Sequence, residues 1–219
     1  SAPWEGPTFP YARRMTTSDS HRALAESRRK AHGYVRLELG CGTRKVDQNA
    51  IGIDLLSSPV VDIVGDARQV LDSLAVGSVD EIFSTHFLEH VSDARGMLEA
   101  SARVLRPGGM FRAVIPHFSN PFFYSDPTHD RPYGLHTFSY LVAESFTTRT
   151  VPQYEAPLPF RYSNATFVFK SIRPHYLRHG LKQFRRVFNL NTWTKELYEE
   201  NWSWILPAYE VEYELERIA

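Results

Sequence analysis

The sequence predicts an α/β fold, a mostly parallel, doubly wound sheet with helices on both faces, on three observations. From Tyr34 onward, short apolar strands alternate with helical patterns. A glycine-rich turn, Glu38-Leu39-Gly40-Cys41-Gly42, follows the first strand. Acidic residues, Asp54 and Asp66, end the next two.

The elements follow in chain order. Ser18 or Asp19 is placed to cap a helix over 20–32, which Gly33 ends. Apolar runs give strand one at 35–39, strand two at 50–54, strand three at 60–64 and strand four at 79–83. A helix over about 92–105 is broken by Pro107-Gly108-Gly109, and strand five covers 110–115. Strands at 166–172 and 209–216, with a helix over about 192–204 between them, bring the count to seven. Residues 1–17, with Pro3, Pro7 and Pro10 and no periodicity, read as a disordered or vector-derived tail ahead of a single domain over 18–219.

Composition narrows the function. Lys plus Arg number 25 and Asp plus Glu number 25, so the basic excess of a phosphate-binding protein is missing and nucleic acid is not an expected partner. The single cysteine precludes an intramolecular disulfide and suits a reducing compartment. No apolar run reaches the roughly 18 residues of a membrane span, and no signal peptide is legible, so the expected location is cytoplasmic. The aromatic residues gather between 118 and 169 and again between 184 and 213. Most suit packing, but rings in a loop beside an active site also suit stacking on a sugar or a flat ring.

Glycines after a buried strand let backbone approach a ligand closely, because no Cβ intervenes. Such a turn opens many nucleotide-binding motifs and is weak alone. Asp54 stands where a carboxylate accepts hydrogen bonds from two ribose hydroxyls. Glu38, Asp54 and Asp66, closing three successive strand turns, form a far more specific pattern than any one of them.

Residues 34–117 resemble the class I methyltransferases that use S-adenosylmethionine (SAM). The Glu-Leu-Gly-Cys-Gly turn, Ile-Asp54, Gly-Asp66-Ala, Ser-Val-Asp-Glu-Ile, Leu-Glu-His and Arg-Val-Leu-Arg-Pro-Gly-Gly appear in the family's order. The resemblance implies a Rossmann-like, seven-stranded methyltransferase sheet, with SAM as cofactor and S-adenosylhomocysteine as product. It places Gly40 and Gly42, with Glu38 and Cys41 of the same turn, at the methionine part. Asp54 and Leu55 would meet the ribose, Asp66 the adenine amino group, Ala67 the adenine, and Ser84 would complete the set. Two departures stand out: Arg44 replaces the usual third glycine, and the stretch from Gly42 to Asp54 is too short for a full helix. The short connection resembles a subgroup of small bacterial methyltransferases associated with glycan assembly. Arg44 or Lys45 is then the candidate for the methionine carboxylate.

On the acceptor side, Ser84-Thr85-His86-Phe87 stands where amine and adenine methyltransferases carry Asn-Pro-Pro-Tyr, and Asn120-Pro121-Phe122-Phe123 comes one strand too late. The only cysteine lies in the cofactor turn, which argues against C5-pyrimidine chemistry. Oxygen methylation fits best, and an alcohol must give up its proton to a base. His86, His117, Glu89 and His129 are the candidates. In related antibiotic-sugar O-methyltransferases a His-His pair after strand four supplies the base; the matching positions here are Glu89 and His90. Residues 117–165 read as an acceptor-binding insertion. Its segment 118–135 reads as a substrate lid carrying Phe122, Tyr124, Arg131 and Tyr133. Asp126, His129 and Asp130 are candidate ligands for a divalent metal, although ordinary loop chemistry is the commoner use of such residues. The expected acceptor is a sugar or oligosaccharide hydroxyl. A phenol, quinone or carboxylate is the second reading, and an inactive SAM-binding module the third. The oligomeric state is not legible.

Overall fold

The computed structural model describes residues 17–170 and 184–219. Residues 1–16 of the expected tail, and the 171–172 end of an expected strand, lie outside them. Eight strands, β1 (Arg36–Leu39), β2 (Ile51–Asp54), β3 (Ile63–Val64), β4 (Val79–Thr85), β5 (Leu105–Pro116), β6 (Val142–Ser145), β7 (Leu158–Val168) and β8 (Glu210–Arg217), form one sheet. Their order is β3-β2-β1-β4-β5-β8-β7-β6. The first five are parallel, as the alternation of strand and helix requires. β8 runs antiparallel to both β5 and β7, and β6 lies parallel to β7 at the edge. The sheet therefore has one strand more than expected. β6 buries only Val142 of its four residues and so leaves no alternation to read.

Among the described residues, five α-helices accompany the strands: α1 (Ser18–His32), α2 (Ala67–Ser73), α3 (Ala94–Val104), α4 (Phe184–Phe188) and α5 (Thr192–Asn201). Thr17, rather than Ser18 or Asp19, caps α1 through a reciprocal capping box with Ser20. Gly33, at φ 77°, ends the helix in the left-handed region. β5 starts earlier than expected. Pro107, Gly108 and Gly109 ride as a bulge between the pairs Val79–Leu105 and Glu81–Met110, so they interrupt the ladder without delaying the strand.

No helix joins β1 to β2, in keeping with the short spacing. The loop is held from beneath instead. Buried Glu38 accepts from the Val46 N–H at 2.9 and 3.0 Å and the Asp47 N–H at 3.4 Å. Lys45, also buried, donates to Asp62 Oδ2 at 2.7 Å and the Ala50 carbonyl at 2.9 Å. Its ammonium is satisfied there, which takes Lys45 out of consideration for a ligand carboxylate. Across one face of the sheet Arg36, Glu81, Arg112 and Glu214 alternate in charge over β1, β4, β5 and β8. Opposite charges on neighbouring strands support the register.

The core changes character along the sheet. Around β1, β2 and β4 it is aliphatic, with Leu37, Leu39, Ile51, Ile53 and Ile82. Around β7 and β8 it is aromatic, with Phe160, Tyr162, Phe167 and Tyr213 buried beside Phe138 and Tyr198. A buried phenol needs a hydrogen-bond partner. Tyr162 donates to the Leu135 carbonyl at 2.9 Å, Tyr213 to Gly134 at 3.1 Å, and Tyr133 to Leu88 at 3.2 Å. Tyr133, expected to meet substrate, is 1% exposed: it is a core residue that pins its loop from below.

Candidate active site

The carboxyl ends of β1, β2 and β3 open on a cavity of about 330 Å³, lined among others by Gly40, Asp54, Leu55, Asp66 and Ala67. This is the crevice where α/β sheets bind ligands. Asp54 is oriented by two backbone donors, Gly42 N–H to Oδ2 and Leu56 N–H to Oδ1, both at 2.8 Å. Each oxygen keeps a further lone pair. Asp66 caps α2, with Oδ1 accepting from the Gln69 N–H at 3.0 Å. Gly40 sits at φ 67°, and a Cβ there would lie 2.6 Å from the Phe87 ring. Glycine is required at this position both for the turn and for the wall of the cavity. Of the turn residues expected at the ligand, Glu38, Cys41 and Gly42 do not line the cavity, nor does Ser84. Burial, with the Asp54 charge second, pushes the Cys41 thiol up to about 12, which leaves it inert.

The candidate bases separate by environment. His86, at φ 51° in the left-handed region, has Nδ1 3.3 Å from Glu89 Oε1 and Nε2 3.3 Å from Glu210 Oε2. Hydrogen bonds to Glu210 and then to Glu89 raise its pKa to about 9. With both nitrogens engaged by carboxylates, His86 is no free base. His117 is fully buried. Its Nδ1 accepts from the Ser119 N–H at 3.2 Å, and its Nε2 lies 3.2 Å from Glu199 Oε1. Buried between these partners, it is closed to a substrate hydroxyl.

Glu89, His90 and His129 form a different group. They come from the short 3-10 turn Leu88–His90 after β4 and from the loop before Tyr133, and each offers a ligand atom within 4.8 Å of the others. His90 lines the cavity. Its Nδ1 lies 2.9 Å from Thr128 Oγ1, and that hydroxyl donates to Asp126 Oδ1 at 2.6 Å. The Thr128 oxygen therefore accepts, His90 Nδ1 carries the hydrogen, and Nε2 holds the lone pair. Likewise His129 Nδ1 donates to the Phe123 carbonyl at 2.8 Å.

Residues 16–113 match the family model described as methyltransferase domain. Those residues carry a methyltransferase domain. Among solved structures, a SAM-dependent methyltransferase from Archaeoglobus fulgidus is 18% identical. It covers 89% of this chain and 94% of its own, with a TM-score of 0.51. A second, an S-adenosylmethionine-dependent methyltransferase from Mesorhizobium loti, is 15% identical over 88% of this chain and 96% of its own, with a TM-score of 0.47. No curated protein matches the sequence.

The methyltransferase cavity suits its cofactor on the chemistry of its walls: carboxylates stand at the ends of β2 and β3 around a turn that admits no side chain at Gly40. The remaining wall, formed by Phe87, His90, Val91, Ser92 and Met97, was largely missed from the sequence. The turn after β4 gives these residues no periodicity, and only Leu-Glu-His pointed to it. On the acceptor side, Phe122 and Tyr124 are 57% and 62% exposed. Arg131 donates to the Ser92 carbonyl and pairs with Asp130, so its guanidinium ties loop to wall. Of the expected trio, Asp126 Oδ2 lies 3.8 Å from His129 Nε2, but Asp130 does not join them. Asp126 caps its own turn through Thr128, and Asp130 faces Arg131. Nor is 118–135 a free lid. Phe118 N–H donates to the Tyr133 carbonyl at 2.9 Å, Asp130 N–H to Glu89 at 2.7 Å, and Asn120 Nδ2 to Tyr209 at 2.8 Å.

Among the described residues, no helix of the methyltransferase is long and apolar enough to cross a membrane.

Proposed function

We propose that the methyltransferase acts on a hydroxyl of a sugar or oligosaccharide. The observation that carries this reading is the group Glu89, His90 and His129, which reaches the cofactor cavity through His90. It offers lone pairs able to activate an alcohol, and no amine-type motif or accessible cysteine competes with it. When bound, SAM supplies an electrophilic methyl on a sulfonium sulfur. Asp54 holds the ribose hydroxyls, Asp66 accepts from the adenine amino group, and Arg44, exposed after the glycine turn, meets the methionine carboxylate. The loop between β5 and β7 forms the acceptor side and holds the hydroxyl in line with methyl and sulfur. The exposed rings of Phe122 and Tyr124 stack on sugar faces. The hydroxyl is activated at the Glu89–His90–His129 group, not at His86 or His117.

Within this class the sequence resembles the 1-O-methyltransferase of methylmannose polysaccharide assembly, so mannose-type acceptors come first. The test is methyl transfer from SAM across a panel of unmethylated and methylated mannosides, other oligosaccharides, phenols and carboxylates. Transfer to a mannoside with none to phenols is the expected result; transfer confined to phenols or carboxylates overturns the reading. His90→Ala should lower turnover about 10²–10⁴-fold, a far larger effect than any loss of SAM affinity measured by calorimetry.

A further inference from the structure

We propose that Glu89, His90 and His129 together hold a divalent transition-metal ion at the wall of the cofactor cavity. Its role in the reaction rests on the hydroxyl reading above; the binding itself does not. Three observations carry it. One ligand atom from each residue lies within 4.8 Å of the others, so small side-chain rotations bring all three to a common ion at about 2.0–2.2 Å. Both imidazoles are already fixed from the far side, His90 Nδ1 by Thr128 and His129 Nδ1 by the Phe123 carbonyl. That arrangement orients metal-bound histidines and presents Nε2. Glu89 is fully buried, and its Oε2 has no hydrogen-bond partner although Oε1 is engaged by His86. A buried carboxylate oxygen left unpaired is costly, and a cation satisfies it.

Two imidazoles and one carboxylate suit a first-row transition ion better than calcium or magnesium, which favour all-oxygen sites. Three protein ligands leave coordination positions open beside the cavity. A sugar hydroxyl entering one loses its proton to water more readily. Its oxygen then bonds the methyl carbon as the carbon–sulfur bond breaks, the electron pair remaining on sulfur.

The experiment is titration of Co²⁺ into the chelator-treated full chain, followed by visible absorption. We expect about one ion per chain with bands of imidazole ligation, and affinity at least about tenfold weaker in His90→Ala, His129→Ala and Thr128→Val. Thr128→Val leaves every ligand in place and removes the hydroxyl that orients His90 and donates to Asp126. Cobalt bound equally by wild type and both histidine variants, or by none, overturns the site. Methyl transfer that survives chelation overturns the ion's role and leaves the hydroxyl reading intact. Site-specific cobalt binding with no sugar methylated supports the site and overturns the hydroxyl reading.

Discussion

At Asp54, two backbone N–H groups hold a carboxylate on the wall of the cavity, so its remaining lone pairs are already oriented for the ribose contact proposed above. Asp54→Ala removes charge-assisted bonds of about 1.5–3 kcal/mol each, and SAM affinity by calorimetry should fall at least about tenfold. Unchanged affinity in a folded variant would refute the assignment. The histidines show how much the surroundings decide. His86, His117 and His90 all follow strand ends, and the sequence distinguishes them only by position. One is clamped between carboxylates, one is sealed in the core, and one faces the cavity. Residue type was legible and availability of the lone pair was not, because availability depends on Glu210 and Glu199, which are far away in the chain.

Asp80 shows how elements are joined. Its carboxylate accepts from the Val35 N–H at 2.8 Å, from Arg29 of α1 at 2.9 Å, and from Arg106 at the start of β5 at 2.6 Å. Burial alone would raise its pKa, but hydrogen bonds from Arg106 and Val35 and the charge of Arg29 outweigh it, and the net shift is downward. A carboxylate depressed in the folded state stabilises above its unfolded pKa, and that stability is lost as pH falls through the folded value. Asp80→Asn should therefore lower Tm at neutral pH, and the gap from wild type should close at acid pH. A gap that stays constant through the acid range would refute this account. The parallel half of the sheet was legible because β1, β2 and β3 lie in apolar runs and Asp54 and Asp66 mark the ends of β2 and β3. The antiparallel half was harder. Between β5 and β7 a tyrosine in a loop reads the same whether it faces water or the core. Tyr133 points inward to the Leu88 carbonyl, a partner that lies 45 residues away in the chain.

Over the whole molecule, the parallel strands carry the wall of the cavity, while the antiparallel strands support the loop between β5 and β7. The charge ladder Arg36–Glu81–Arg112–Glu214 spans both halves. β8 lies between β5 and β7, and Arg112 meets Glu214 across 102 residues of sequence at 2.7 Å. Contacts so distant along the chain are slow to form. Refolding should accordingly proceed in two stages. Pulsed hydrogen exchange is expected to find the β1, β2 and β4 amides protected early, and the Leu135 amide, bonded to Glu199, protected only once β8 has inserted. A refolding chain would thus acquire its nucleoside grip before its choice of acceptor, and simultaneous protection of both regions would contradict that order.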